Sequence, residues 1–206
     1  MNLVLFDFDG VIGDSFPVFH PAFVRACRAV GFDRFSAPGE FLDLFEGNLI
    51  QKIMDAGLPE PRKQPLLDAL AAEVAAAIDE VAPFPGMPEA VSALAAAGPV
   101  YVVTSNVGAP IARFLARHGV TGVLGVLGAD HEPSKTVKIR AAAAAHPDCA
   151  PWYVGDTLGD MLEGAEAGAA TVAVGWGWHD RARLERGRPS RHAATPEELL
   201  RILSAG

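Results

Sequence analysis

The chain alternates between short apolar runs and longer stretches in which apolar residues recur at helical spacing. The apolar runs have the length of strands and are bounded by glycine, proline or polar residues. Such runs predict strands at residues 3–6, 100–104, 122–127, 151–155 and 170–176, and a further short strand is expected near 191–194. Strands that alternate with helices predict parallel βαβ units, so we expect an α/β fold with a doubly wound parallel sheet.

The first and second apolar runs are separated by a long segment whose patterns are all helical. The helical patterns cover residues 16–31, 40–57 and 63–81. A clear break follows in the sequence PFPG at 83–86. We therefore expect residues 15–82 to form an all-helical unit without strands, called the helical insertion below. Residues 1–14 and 83–206 are expected to form the sheet-containing core.

Two carboxylates stand at the end of the first apolar run. Asp7 and Asp9 follow LVLF and are themselves followed by Gly10. Unpaired charge at the end of a buried strand is costly, and a hard cation such as Mg²⁺, which prefers carboxylate oxygens, would resolve it. The glycine suits a sharp turn after the strand. The alternative is that both acids are solvated turn residues.

Polar residues also follow other predicted strands. In open parallel sheets, functional groups gather at the carboxyl ends of the strands. The residues at or near these ends are Thr104, Ser105, Asn106, Lys135, Asp156 and Asp160. Together with Asp7 and Asp9 they could bind a divalent metal and a phosphate in one pocket.

Each of these residues also has a simpler interpretation. Asp156 could be only a helix N-cap, because acidic residues are favourable in a first helical turn. Thr104 could be an ordinary β-branched strand residue. Lys135 could be a surface lysine, and Lys138 is the other lysine that could supply the positive charge of the site. The coincidence of these three residues with the Asp7 and Asp9 pair near the strand ends favours the functional interpretation.

Composition and charge exclude several classes of protein. The chain has 206 residues, half of them hydrophobic, and a net charge of −8. The negative charge argues against nucleic acid as a partner. Two widely separated cysteines, no signal-peptide pattern and no long apolar run lead us to expect a cytoplasmic protein without a membrane span. The arginine-rich stretch at 181–191 is expected to be a solvated face.

Four sequence motifs together resemble those of the haloacid dehalogenase-like hydrolases. They are DFDGV at 7–11, VVTSN at 102–106, Lys135 in SKTVKI, and GDTLGD at 155–160. The helical insertion resembles the C1-type cap of that superfamily, and the core its Rossmann-like domain. PFPGMPEAVSALAAAG, VGWGWH, ATPEELL and a Gly47–Asn48 pair resemble the phosphoglycolate phosphatase-like branch. Lys135 is followed by Thr136, where that branch usually has Lys-Pro.

The resemblance implies roles for four catalytic residues. Asp7 would be the nucleophile that forms an aspartyl-phosphate. Asp9 would protonate the leaving oxygen and later deprotonate the attacking water. Thr104 would help to hold the phosphoryl oxygens, and Lys135 would balance negative charge on Asp7 and the phosphoryl group.

The resemblance also implies a metal and a substrate site. Asp7, the main-chain carbonyl of Asp9, and Asp156 would hold Mg²⁺, with Asp160 supporting it. Substrate would be bound by Thr104, Ser105, Asn106 and, from the helical insertion, Asn48. In the helical insertion His20, Arg25 and Lys52 are further candidates, although each could equally be a surface residue.

The implied activity is that of a Mg²⁺-dependent phosphatase for a small phosphorylated metabolite. Phosphoglycolate is the first substrate to consider, and the protein is expected to be a monomer or a homodimer. Asp9 argues against a dehalogenase, because a halide needs no proton to leave. A sugar phosphomutase of the β-phosphoglucomutase type, which would use the same nucleophile, is the alternative. A receiver domain or a non-catalytic binding protein fits less well, because Asp7 ends the first strand and every catalytic residue type is present.

Overall fold

The computed structural model describes residues 1–47 and 49–204 and contains a six-stranded parallel sheet. The strand order is β5-β4-β1-β6-β7-β8. These strands are β1 (Asn2–Phe6), β4 (Val100–Val103), β5 (Gly125–Leu127), β6 (Ala150–Gly155), β7 (Ala170–Val174) and β8 (Arg191–Ala193). Every neighbouring pair is parallel, which confirms the predicted α/β fold.

Helices cover both faces of this sheet. The helices that follow the first crossover are α5 (Met87–Ala97), α6 (Gly108–Arg117), α7 (Lys135–Ala145), α8 (Leu158–Glu166), α9 (Arg181–Glu185) and α10 (Pro196–Ser204). Val4 and Phe6 of β1 pack in one apolar cluster with side chains of α5, α6 and α10. Leu3 and Leu5 pack in another cluster, which contains Ile139 of α7. Strand β1 is therefore buried on both faces, as its unbroken apolar run predicted.

The helical insertion contains four α-helices and its own apolar cluster. The helices are α1 (Phe16–Ala29), α2 (Pro38–Asp43), α3 (Leu49–Asp55) and α4 (Glu60–Ala77), and a 3₁₀ turn at Ile78–Glu80 follows α4. Phe23, Phe41, Ile53 and Leu66 are fully buried in this cluster. The helical pattern predicted over residues 40–57 thus corresponds to two helices, α2 and α3.

Two features of the connections differ from the sequence predictions. β2 (Gly13–Asp14) pairs antiparallel with β3 (Ala82–Pro83), so the helical insertion enters and leaves through a short two-stranded ribbon. A strand of two residues is too short to leave a periodic pattern in the sequence. Helix α9 was not predicted either, because only five residues form it.

The arginine-rich stretch around α9 is not simply a solvated face. Arg183 lies 2.9 Å from Asp43, and Arg186 lies 2.7 Å from Glu46, both in the helical insertion. The arginines of the stretch are exposed, as expected, except for the half-buried Arg183. The ion pairs were not predicted, because the acidic partners lie 140 residues earlier in the chain and meet these arginines only in the fold.

Candidate active site

The chain turns sharply after β1 and buries Asp7 at the turn. The main-chain N–H of Asp7 donates to the carbonyl of Val154, and its Oδ1 accepts from the N–H of Phe8 at 2.7 Å. Gly10 has a φ of +73°, and a Cβ there would overlap with the carboxylate of Asp156. Glycine is therefore required both for the left-handed backbone and for the approach of Asp156.

Lys135 connects two of the buried carboxylates. It begins α7 and follows Ser134, whose hydroxyl caps the helix. Its Nζ lies 2.7 Å from Oδ2 of Asp7 and 2.7 Å from Oδ1 of Asp160. Nζ of Lys138, one turn later, donates to the main-chain carbonyl of Thr104 at 2.8 Å. Of the two lysines, Lys135 is thus the one that neutralises carboxylate charge.

Asp160 is held by several hydrogen bonds. Its Oδ2 accepts from the N–H and the hydroxyl of Thr157, which forms a capping box at the start of α8. Its Oδ1 accepts from the hydroxyl of Tyr153 at 3.0 Å as well as from Lys135. Burial opposes ionisation, but the Lys135 ammonium and these donors hold the pKa of Asp160 below its ordinary value. Asp160 is therefore an ionised anchor for Lys135.

Asp156 follows β6 and completes a group of three carboxylates. Oxygens of Asp7, Asp156 and Asp160 lie within 4.8 Å of one another. Oδ2 of Asp156 accepts from the N–H of Trp178, whereas Oδ1 is buried and has no hydrogen-bond partner among the described residues. Burial, together with the neighbouring carboxylates, raises the pKa of Asp7 and of Asp156 well above the ordinary value.

This donor set fits a hard divalent cation. Carboxylate oxygens are the ligands that Mg²⁺ prefers, and a cation would offset the repulsion that raises these pKa values. The orphaned Oδ1 of Asp156 is available to such an ion. The side chain of Asp9 is not part of the three-carboxylate group. The contribution of its main-chain carbonyl stays a prediction.

Asp9 lies beside the loop that follows β4. Its Oδ2 accepts from Nδ2 of Asn106 at 2.6 Å, and its Oδ1 has no partner within the described part of the chain. Burial raises the pKa of Asp9 to about 6. A carboxyl group with such a pKa can both give and take a proton near neutral pH.

The predicted phosphate-binding residues divide into a buried one and two that face the cavity. Thr104 is 0% exposed, and its hydroxyl accepts from the N–H of Asn106 at 3.0 Å. Ser105 and Asn106 line the cavity above Asp7. Thr104 therefore shapes the turn that presents the next two residues.

A cavity of about 460 Å³ lies between this cluster and the helical insertion. Asp7, Asp9, Lys135 and Asp160 contribute to one end of its lining. Apolar side chains, many of them from α4, contribute most of the rest.

The candidates in the helical insertion lie elsewhere. His20 stacks on Phe16, Arg25 pairs with Glu73, and Lys52 is exposed; none of these three lines the cavity. Asn48 lies outside the described residues.

Sequence reasoning missed Tyr153 and His179. Nδ1 of His179 accepts from the N–H of Leu158, so Nε2 carries the proton that it donates to the carbonyl of Leu42 in the helical insertion at 2.9 Å. Burial lowers the pKa of His179. Its position after a strand end was visible in the sequence, but its partners were not. Trp178 packs against Phe45 and also lines the cavity.

The fold and this cluster define a class of protein, namely an α/β enzyme with an acidic site at the carboxyl edge of a parallel sheet. A model of the haloacid dehalogenase-like hydrolases matches residues 4–174. The chain belongs to that family, as predicted from its four motifs.

Two curated proteins and one solved structure are similar over nearly the whole chain. A phosphoglycolate phosphatase of Synechococcus elongatus is 24% identical over 99% of this chain and 98% of its own length. The probable phosphatase IndB of Dickeya dadantii is 28% identical over 96% of this chain and 91% of its own. A haloacid dehalogenase-like hydrolase from Streptococcus pneumoniae superposes with a TM-score of 0.81 at 25% identity over 98% of both chains. These matches confirm the phosphoglycolate phosphatase-like branch and a phosphoric monoester hydrolase.

No helix within residues 1–47 and 49–204 has both the length and the apolar character needed to cross a membrane.

Proposed function

We propose that the protein is a Mg²⁺-dependent phosphatase that hydrolyses a small phosphorylated metabolite through an aspartyl-phosphate on Asp7. The observation that carries this proposal is the position of Asp7. It directly follows β1, lies next to Lys135 within a group of three buried carboxylates, and contributes to the lining of the cavity. Phosphoryl transfer depends on such positioning and neutralisation of charge.

In the first step, a carboxylate oxygen of Asp7 attacks the phosphorus, and the bond between phosphorus and the leaving oxygen breaks. Asp9, in its protonated form, gives a proton to that oxygen, so that a neutral alcohol leaves. The pKa of Asp9, about 6, suits this role.

In the second step, a water molecule attacks the phosphorus of the aspartyl-phosphate while Asp9 takes one of its protons. The bond between phosphorus and the Asp7 oxygen breaks, and inorganic phosphate is released. Both carboxyl groups return to their starting states.

The remaining residues of the cluster neutralise negative charge, hold Lys135 in place or bind the phosphoryl oxygens. Lys135 balances the charge of Asp7 and of the phosphoryl group, and Asp160 holds Lys135 in place. Ser105 and the turn after Thr104 bind the phosphoryl oxygens. Asp7, Asp156 and the main-chain carbonyl of Asp9 would hold Mg²⁺, which when bound neutralises the phosphate charge that opposes an anionic nucleophile.

We propose further that the helical insertion acts as a cap over the core formed by residues 1–14 and 83–206. The cavity between the two regions supports this division, because a cap excludes water from the reaction. The name of the Synechococcus relative makes phosphoglycolate a substrate to test. A cytoplasmic location and a monomeric or dimeric state stay predictions.

The test is phosphate release from a panel of phosphate esters with and without Mg²⁺. The panel contains phosphoglycolate, alkyl and benzyl phosphates, and hexose 1- and 6-phosphates. We expect Mg²⁺-dependent release that Asp7→Asn abolishes while its circular dichroism spectrum is unchanged. Intact-mass analysis of quenched wild-type enzyme should show one added phosphoryl group. Interconversion of hexose phosphates without phosphate release would favour the mutase instead. Turnover by Asp7→Asn would show that Asp7 is not the nucleophile.

A further inference from the structure

The C-terminal half of α4 lines the cavity with apolar side chains only. Leu67, Ala71, Val74 and Ile78 face the cavity at intervals of three or four residues, so they form one continuous stripe. Ala75 belongs to the same stripe. A different face of α4, which includes Leu66, packs in the apolar cluster of the helical insertion. Val74 and Ile78 also pack in the apolar clusters. Leu67, Ala71 and Ala75 belong to neither cluster, so these three side chains are presented to a ligand.

The other walls of the cavity are also apolar. Val107 and Pro110, at the start of α6, come from the core, and Val107 is 42% exposed although it is a large apolar residue. Phe19, Phe45 and Trp178 add aromatic surface. An exposed valine in a cavity that also has aromatic lining indicates a surface that an apolar group covers.

The charges around the cavity oppose a second anionic group on the substrate. Among the described residues that line it, Lys135 is the only basic one, and its ammonium already contacts Asp7 and Asp160. Asp130 and Glu163 add acidic groups to the lining. A hydrogen bond from the N–H of Gly108 lowers the pKa of Asp130, which is therefore ionised near neutral pH.

A carboxylate on the leaving group would therefore lie among apolar and acidic groups without a cation to pair with. Transfer of an unpaired carboxylate from water to such surroundings is strongly unfavourable. The volume, about 460 Å³, is in the range of pockets that hold ligands much larger than glycolate.

From this lining we infer that the substrate is a phosphate monoester whose leaving group is an uncharged, largely apolar alcohol larger than glycolate. The inference rests on the proposed phosphatase activity and names the substrate class of the same site. The phosphate group is bound at the carboxylate end, and the carbon skeleton of the alcohol lies against α4 and Val107.

The first experiment compares two pairs of esters that differ by one charge. Isobutyl phosphate has the same number of non-hydrogen atoms as phosphoglycolate, with an isopropyl group in place of the carboxylate. Benzyl phosphate and 4-carboxybenzyl phosphate form the second pair. We expect kcat/KM to be at least about tenfold higher for the uncharged member of each pair. Glycolate is the better leaving group of the first pair, so such a preference reflects binding and not intrinsic reactivity.

The second experiment changes the stripe on α4 and uses the neighbouring alanines as controls. Ala71→Leu narrows the cavity and should lower kcat/KM for benzyl phosphate more than for methyl phosphate. Ala75→Lys supplies a cation and should raise the kcat/KM ratio of 4-carboxybenzyl to benzyl phosphate. Ala72→Leu and Ala76→Lys make the same changes at exposed positions that do not line the cavity and should leave these ratios unchanged.

The outcomes separate this inference from the proposed activity. Mg²⁺-dependent hydrolysis with phosphoglycolate equal to or better than isobutyl phosphate would overturn the inference and leave the phosphatase in place. If no ester is hydrolysed, the proposed activity fails, and calorimetric titration of Asp7→Asn with the two benzyl esters still decides the inference. Tighter binding of benzyl phosphate supports it, and weaker or absent binding of that ester overturns it.

Discussion

The ammonium of Lys135 lies 2.7 Å from Oδ2 of Asp7, and both side chains are buried. The same ammonium contacts Asp160 at 2.7 Å, so a single cation is shared by two carboxylates. Because the desolvated carboxylates repel each other, the position of Lys135 governs both the charge of Asp7 and the stability of the turn around it.

Replacement of Lys135 by methionine should lower both activity and stability. We expect kcat to fall by about 10²-fold or more, because Asp7 and the transferring phosphoryl group lose a fixed cation. The free energy of unfolding should fall by about 3 kcal/mol, since a buried carboxylate loses its partner. Urea denaturation and phosphate release measure the two effects.

Lys138→Met provides the comparison for Lys135→Met. It removes a buried ammonium that contacts the carbonyl of Thr104 and no carboxylate within the described hydrogen bonds. Its loss of activity should be clearly smaller. Equal losses in the two variants would contradict a direct role of Lys135 at Asp7.

Asp9→Asn should affect esters according to their leaving groups. An alkoxide needs a proton to leave, so hydrolysis of isobutyl phosphate should slow by about 10²-fold or more. 4-Nitrophenolate leaves without a proton, so the rate of the first step with 4-nitrophenyl phosphate should fall much less. Single-turnover formation of the aspartyl-phosphate measures that step separately. A uniform loss across both esters would argue that Asp9 is not the general acid.

Asp156→Asn should weaken the response to Mg²⁺. The change removes one of three clustered carboxylates, and its Oδ1 is the oxygen without a partner in the described structure. The Mg²⁺ concentration for half-maximal activity should rise by about tenfold or more, and the increase in Tm that Mg²⁺ produces should shrink. Asp148→Asn removes an exposed carboxylate and serves as the control. An unchanged titration would remove Asp156 from the metal site.

Most of the cluster could be predicted because its parts are local. Asp7 and Asp156 each follow an apolar run directly, and a parallel sheet brings the carboxyl ends of its strands to one edge. Asp160 is one helical turn from Asp156, so its place near that edge was also fixed by short-range geometry. The sequence did not decide which lysine reaches the carboxylates, because Lys135 and Lys138 lie one turn apart on the same helix.

The lining of the cavity could not be predicted in the same way. Helix α4 is apolar on two faces, and only the packing of its neighbours shows that Leu66 is buried while Ala71 faces the cavity. Tyr153 looked like any other residue of an apolar strand, although its hydroxyl reaches Asp160. His179 acts through the carbonyl of Leu42, a main-chain contact that side-chain patterns do not reveal.

The contact between Glu46 and Arg186 should control how firmly the helical insertion is held against the core. Nη1 of Arg186 donates to Oε1 of Glu46 at 2.7 Å, and the adjacent carbonyl of Phe45 accepts from the N–H of Gly159 at 2.9 Å. Gly159 lies between two residues of the carboxylate cluster, so this exposed ion pair lies next to the site. Hydrogen-deuterium exchange at Gly159 therefore reports on the contact.

Glu46→Gln should increase exchange at Gly159, and high salt should have the same effect on the wild type because exposed ion pairs are screened. The hydrogen bond from Arg186 lowers the pKa of Glu46 below 4.5. The contact is therefore complete above that pH and is lost as the pH falls through the lowered pKa. Glu185→Gln removes a carboxylate that pairs with Arg181 and His192, both within the core, and should leave the exchange at Gly159 unchanged. Equal protection in wild type and Glu46→Gln would show that the remaining contacts, which are the backbone contact, the His179 contact and the Arg183–Asp43 pair, suffice to hold the helical insertion.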